Sequence, residues 1–128
     1  MRTITQIALV VRDSDEALAW YVEKLGFVCL ENTKLSDTKR WVRIAPSHDA
    51  AFALLLARAA NEEQATRIGN QAGGRVFLFL ETDDFARDFT AFTARGVKFL
   101  EAPRHEAYGS VAVFEDLYGN KWDLIQPR

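Results

Sequence analysis

Gly26-Phe27-Val28-Cys29-Leu30-Glu31 and Gly96-Val97-Lys98-Phe99-Leu100-Glu101 follow one pattern, 70 residues apart. The same spacing places Asp13 on Asp83, and each acid opens a helical segment that the glycine ends. A carboxylate at a helix start can accept hydrogen bonds from free amide groups, and glycine adopts the left-handed conformation common at a helix end. The spacing therefore predicts a duplicated strand–helix–strand–strand–strand (βαβββ) unit.

The first copy contains one amphipathic helix among four strands. Ala17, Leu18, Tyr21 and Leu25 recur at helical spacing and predict one apolar face. Apolar and β-branched runs predict strands over residues 4–11, 27–31, 41–45 and 52–58.

The second copy repeats this order after a connector. Asp83 or Asp84 is predicted to cap its helix, which carries Phe85, Phe89 and Phe92 on one face. Strands are predicted over residues 76–81, 97–101, 110–115 and 121–126, with a loop at 103–107 and a turn at 116–120.

These elements predict one α+β domain over residues 1–128. It consists of a first module at about 1–58, a connector at 59–73 that includes a helical turn, and a second module at about 74–128. Each helix can cover only one face of its sheet. We therefore expect the two mixed sheets to curve around a shared cleft.

Composition narrows the classes of partner. Apolar residues make up 48% of the chain, the net charge is −2, and the lysines and arginines are scattered, which argues against nucleic acid. No apolar run reaches the roughly 18 residues of a membrane span, and the first residues lack the pattern of a signal peptide, so a cytoplasmic location is expected. Cys29 is the only cysteine and is predicted to be buried.

The two ends of the chain carry a family resemblance. Residues 7–21 (IALVVRDSDEALAWY), followed by Leu25-Gly26-Phe27, and residues 114–124 (FEDLYGNKWDL) resemble the vicinal oxygen chelate superfamily. This superfamily includes glyoxalase I, extradiol dioxygenases, and fosfomycin- and bleomycin-resistance proteins. The resemblance covers the whole chain and implies paired βαβββ modules around a cavity. It does not select one activity, because a fold alone specifies no reaction.

The resemblance also implies where a divalent metal would bind. Enzymatic members use four ligands, which come from the first and last strands of each module. Gln6 stands at the first position and Asp123 at the fourth, but the second falls within an apolar strand at residues 52–56 and the third on Val76 or Phe77. The sequence thus predicts no resident metal or other cofactor. A divalent metal held weakly by Gln6 and Asp123 is the alternative.

Residues 103–109 hold the candidate catalytic groups. His105 is the candidate general base, with Glu106 as the neighbouring carboxylate that would assist it. The alternative is a solvated loop histidine. In the family the equivalent loop often crosses the cavity mouth, which implies ligand-binding roles for Arg104 and Tyr108.

Strand alternation supplies the remaining candidates. Trp41 and Arg43 point to the same side, so Trp41 could stack on a ligand while Arg43 grips a carboxylate or phosphate. The alternative is a core tryptophan and a surface arginine. Gln6 and Asp123, which the resemblance places at ligand positions, are predicted to be polar groups of the pocket; the alternative is that they are strand residues without a special role. If Asp123 faces the cavity, Trp122 packs beneath a helix.

Three functions remain open from the sequence. The first is a bleomycin-resistance-like protein that binds a small organic ligand in a cleft with a degraded metal site. The second is a metal-dependent lyase, isomerase or dioxygenase with a remodelled site. The third is a non-catalytic structural or regulatory dimer whose own phenylalanines fill the cleft. The resemblance implies a homodimer in each case.

Overall fold

The computed structural model describes all 128 residues, and the chain divides into two units, Met1–Ile68 and Gly69–Arg128. The first unit contains β1 (Gln6–Val11), α1 (Ser14–Leu25), β2 (Val28–Lys34), β3 (Arg40–Ala45), β4 (Ala53–Arg58) and α2 (Glu62–Ala65). The second contains β5 (Val76–Glu81), α3 (Phe85–Ala94), β6 (Lys98–Phe99), β7 (Arg104–Glu106), β8 (Gly109–Glu115) and β9 (Lys121–Pro127). None of the helices combines the length and apolar character that a membrane crossing needs.

In the first unit, α1 covers one face of a four-stranded mixed sheet. The strand order is β1-β4-β3-β2, with β1 parallel to β4 and the other pairs antiparallel. The core between α1 and the sheet consists of buried apolar side chains, namely Leu9, Val11, Ala17, Tyr21, Leu25, Val42, Ile44, Leu54 and Leu56. Because side chains alternate along a strand, the residues between these buried ones lie on the opposite, helix-free face.

The second unit has the same plan with one extra strand. The strand order is β5-β9-β8-β6, β5 runs parallel to β9, and the short β7 also pairs with β8. Trp122 and Leu124 of β9 are buried together with Phe114, Phe85 and Phe92, which forms the core on the α3 side. The expectation that Trp122 packs beneath a helix is confirmed, and Asp123 lies on the helix-free face of this second sheet.

Two mixed sheets with the βαβββ order confirm the predicted fold class, while the shared cleft stays a prediction.

The helix caps of the first unit are those predicted from the sequence, and in the second unit one of the two predicted acids is the N-cap. Asp13 accepts hydrogen bonds from the backbone nitrogens of Asp15 (2.8 Å) and Glu16 (3.3 Å), and Gly26 ends α1 with φ of 72°. In the second unit Asp84 is the cap and accepts from the nitrogen of Arg87 at 3.0 Å.

Two predicted boundaries in the second module are wrong. The segment predicted as a loop at 103–107 contains β7, in which Arg104 pairs with Val111 of β8. The strand predicted at 97–101 is only Lys98–Phe99. Past that strand, the Glu101 side chain accepts the hydrogen bond from the Val113 amide at 3.2 Å, which interrupts the regular backbone ladder.

The prediction of a buried cysteine is also wrong. Cys29 is exposed. It lies on β2, the edge strand of the first sheet, beside a β-bulge between Cys29 and Glu31. An edge strand has no neighbour on its outer side, so an apolar run there does not guarantee burial.

Candidate functional site

Strand register brings several polar side chains together on the helix-free face of the first sheet. Arg43 of β3 lies opposite Glu31 of β2 on one side and Leu55 of β4 on the other. Gln6 of β1 lies opposite Ala53 of β4. Residues opposite each other in a ladder point to the same face, so Gln6, Arg43 and Glu31 form a row across the four strands.

Arg43 is the centre of this row. Its Nε donates to Gln6 Oε1 at 3.0 Å, and its Nη1 donates to Glu31 Oε1 at 3.5 Å. The side chains of Arg43 and Glu31 are 29% and 38% exposed, so water screens this ion pair only partly. Nη2 makes no hydrogen bond within the chain, and it can donate to an added oxygen atom.

A cavity of about 410 Å³ opens at one end of this sheet. It is lined by residues 12–15, 34, 36–41 and 55–58. Trp41 and Leu55 are among these lining residues, whereas Gln6, Glu31 and Arg43 are not. Because Leu55 pairs with Arg43, the cavity adjoins the Arg43 row. The volume exceeds the lower end of ordinary ligand pockets, which is about 300 Å³.

The charges around the cavity are mostly paired. Arg40 Nη1 lies 2.9 Å from Asp15 Oδ1, and Lys34 Nζ lies 3.5 Å from Asp37 Oδ1. The first pair joins β3 to α1 and the second lies within the β2–β3 hairpin. Ion pairs at the surface contribute little free energy to the fold.

In the second unit, Arg104 holds together the β7 segment. It donates to both oxygens of Glu101 at 2.8 and 3.2 Å, to Glu106 Oε1 at 3.3 Å and to the Tyr108 hydroxyl at 3.4 Å. The Arg104 hydrogen bond lowers the pKa of the Glu101 carboxyl below its usual range, although burial opposes it. The guanidinium of Arg104 is therefore engaged mainly within its own segment.

Asp123 differs from these paired acids. On the helix-free face of the second sheet it lies between Phe79 of β5 and Val113 of β8. Its Oδ1 is buried and has no hydrogen-bond partner. Burial raises the pKa of this carboxyl above its ordinary value, Arg104 opposes the rise, and Glu101 adds to it.

The candidate catalytic pair is not arranged as one unit. His105 Nδ1 lies 2.9 Å from Ser110 Oγ, whereas Glu106 binds Arg104. Adjacent residues of β7 point to opposite faces, so Glu106 does not assist His105. Glu31 and Glu101 were not singled out from the sequence. Glu31 accepts from Arg43 and Glu101 accepts from Arg104, whereas the His105 ring contacts Ser110.

Of the four family ligand positions, only the fourth, at Asp123, offers a carboxylate without a hydrogen-bond partner at Oδ1. Gln6 Oε1, the oxygen donor at the first position, already accepts a hydrogen bond from the positively charged Arg43. The β4 residues beside it, Ala53 and Leu55, are apolar, as are Val76 and Phe77 at the start of β5. No three His, Cys, Asp or Glu side chains are grouped so that they could hold one metal ion.

Replacing Asp123 with asparagine is expected to raise the melting temperature at pH 7. The folded-state pKa is raised above the unfolded value near 3.8, so the ionised form destabilises the fold, and stability falls as pH rises through the raised pKa. Asparagine stays neutral, and the gain should vanish near pH 3, where both side chains are uncharged. Thermal denaturation at the two pH values measures this. Asp37→Asn, at a fully exposed position, is the control, and an equal shift at both pH values would contradict the assignment.

Comparison with known proteins places these features in a family. Residues 3–124 match the model of the Glyoxalase/Bleomycin resistance protein/Dioxygenase superfamily. A protein of Shewanella frigidimarina (strain NCIMB 400) is 55% identical over 126 residues, which are 98% of this chain and 93% of that protein. The solved structure of UcmS2 is similar with a TM-score of 0.83 and 25% identity, covering 98% of each chain. TnmS3, described as an antibiotic binding protein from Streptomyces sp. CB03234, has a TM-score of 0.80 and 28% identity, covering 100% of this chain and 98% of its own.

Proposed function

Because this chain belongs to the glyoxalase/bleomycin resistance protein/dioxygenase superfamily, we propose that it binds a small, partly aromatic organic molecule without a resident metal. The observation that carries this proposal is the Arg43 row beside Trp41 and the adjoining cavity of about 410 Å³. The similarity to TnmS3, an antibiotic binding protein, supports it.

The site has the two parts that ligand pockets of this kind combine. Trp41 and Leu55 offer an apolar surface on which a flat ring can stack. Arg43 offers a charged donor, and Gln6 and Glu31 fix its orientation before the ligand arrives. A donor that is already oriented loses less entropy on binding, and its second terminal nitrogen is available. These features select a ligand with a ring and an oxygen acceptor, such as a carboxylate.

Metal independence is part of the proposal. A metal-dependent lyase, isomerase or dioxygenase would need donors where this chain has Ala53, Leu55, Val76 and Phe77. Arg43 donates a hydrogen bond to the side-chain amide oxygen of Gln6. Its positive charge lies where a cation would otherwise bind. Binding also requires no chemistry from His105, whose neighbour is a serine hydroxyl.

The test uses 2-naphthoate, a flat aromatic acid, as the probe. Arg43→Met should weaken its binding about 10- to 100-fold, because a charge-assisted hydrogen bond contributes about 1.5–3 kcal/mol. The measurement is calorimetric titration with and without EDTA, and EDTA should leave the affinity of the native chain unchanged. Arg2→Met, at an exposed position, is the matched control and should bind like the native chain. Equal affinities for the Arg43 and Arg2 variants would refute this site, and loss of binding in EDTA would refute metal independence.

We also propose that the chain forms a homodimer in the cytoplasm, as the family resemblance implies. Sedimentation velocity at micromolar concentration tests the first point, and a monomer there would refute it. Cell fractionation with an antibody to the chain tests the second, and recovery outside the cytoplasmic fraction would refute that location.

A further inference from the structure

Asp123 is the acidic residue of the second unit that carries a buried, unpaired oxygen atom. Its Oδ1 is buried without a hydrogen-bond partner, although a carboxylate can accept several. Its position on β9 is fixed by pairing with Phe79 on one side and Val113 on the other. A buried acceptor left unpaired destabilises a protein, so its presence requires a physical reason.

Arg104 is the basic side chain whose charge acts on Asp123, but it makes no hydrogen bond to that carboxylate. Arg104 lowers the pKa of Asp123 through its charge alone, because its nitrogens bind Glu101, Glu106 and Tyr108. Glu101 acts in the opposite direction and raises that pKa. The carboxylate of Asp123 is thus available to a positive group from outside the chain.

The surroundings of Asp123 favour a cation. The carboxylates on this face or in contact with it are Glu81, Glu101, Glu106, Glu115 and Asp123, and the basic groups are Lys98, Arg104, Lys121 and Arg128. Lys98 pairs with Glu115, and Lys121 Nζ donates to the Gly74 carbonyl oxygen. The excess charge of this face is negative.

An exposed aromatic ring lies beside the acid. Phe79 is 65% exposed although it is a large apolar side chain in the middle of a strand. Its register with Asp123 places both side chains on the same face. An aromatic face attracts cations and stacks on other rings, so Phe79 and Asp123 together suit a ring that bears a positive group.

We propose that the helix-free face of the second sheet binds a protonated amine attached to a flat ring, with Asp123 accepting the ammonium hydrogen bonds and Phe79 contacting the ring. The inference rests on the proposed function, since it names a ligand class for the same protein, but it uses different residues. Asp123 as a residue is only partly buried, so the amine can approach its carboxylate without a change of backbone.

The experiment compares two probes that differ in one group, 2-naphthylmethylamine and 2-naphthalenemethanol. Each is titrated into the ¹⁵N-labelled full chain, and amide shifts on β5 and β9 give the affinity. We expect the amine to bind about tenfold or more tightly than the alcohol, as a charge-assisted hydrogen bond predicts. Asp123→Asn should remove this preference, while Glu81→Gln, an exposed acid on the same face, should keep it.

The outcomes separate the two proposals. Equal affinity for amine and alcohol, a preference that survives Asp123→Asn, or no saturable shift on β5 and β9 would each overturn this inference. The spectrum of Asp123→Asn shows directly that the variant is folded. Arg43→Met should leave amine binding unchanged. If 2-naphthoate fails to bind while the amine succeeds, only the Arg43 site is refuted, and the converse refutes only the Asp123 site.

Discussion

Replacing Phe114 with alanine is expected to lower the free energy of unfolding by about 3–5 kcal/mol, the range for a large aromatic side chain removed from a packed core. Phe114 is completely buried. Its ring lies 5.8 Å from that of Phe92, 5.6 Å from Phe99 and 5.9 Å from Trp122, so it joins α3 to three strands. The cavity left by alanine would remove contacts on all sides at once.

Urea denaturation followed by far-UV circular dichroism measures this loss, provided that the slope of the transition is unchanged. Phe79→Ala is the matched control, because the same atoms are removed from a side chain that is 65% exposed. We expect the control to change stability by less than about 1 kcal/mol. Similar losses in the two variants would show that Phe114 is not the centre of this core.

Asp116→Ala is expected to destabilise the chain by about 3 kcal/mol, because it leaves several buried donors unpaired. Asp116 Oδ1 accepts from the backbone nitrogens of Tyr118 (3.0 Å) and Asn120 (2.9 Å), and its Oδ2 accepts from Asn120 Nδ2 at 3.0 Å. Both acid and amide are nearly fully buried. Asn120 Oδ1 in turn accepts from the Gln71 amide at 3.3 Å, so the turn anchors the segment that precedes β5.

The same denaturation experiment applies, with Asp37→Ala as the control. The Asp37 side chain is fully exposed, and its loss should change stability by no more than about 0.5 kcal/mol. A loss below about 1 kcal/mol for Asp116→Ala would mean that water replaces the carboxylate at this turn. In that case the Asp116–Asn120 network would be only a surface turn.

Local signals in the sequence were enough for the plan of the fold. Asp13 and Gly26 mark the limits of α1 because capping depends on neighbours along the chain. The alternation of Trp122 and Asp123 predicted that the two side chains lie on opposite faces of the last strand, and Trp122 is the buried one. The choice of Asp84 over Asp83, and the pairing of β7 with β8, depend on contacts between distant segments, which no local pattern encodes.

The candidate site also depends on contacts between distant segments that no local pattern encodes. Arg43 was predicted from strand alternation and Gln6 from the family resemblance, but Glu31 was not predicted. The bulge after Cys29 inserts one residue into β2, so that Glu31 lies opposite Arg43. In a regular ladder Leu30 would lie there, and Glu31 would point to the other face. Likewise, the motif at the end of the chain drew attention to Asp123, whereas its unpaired oxygen depends on the exact course of Arg104.

The parallel pairs that close the two sheets also affect how the chain folds as it is synthesised. Each joins segments far apart in sequence, as in the pairs Gln6–Ala53 and Val76–Lys121, so loop closure should slow both units. Yet all residues of the first unit precede those of the second. The ribosome can therefore release a complete first sheet before β9 exists, while the second sheet lacks an internal strand until β9 has emerged. A ribosome that stalls between the two units would expose a finished Arg43 row and no Asp123.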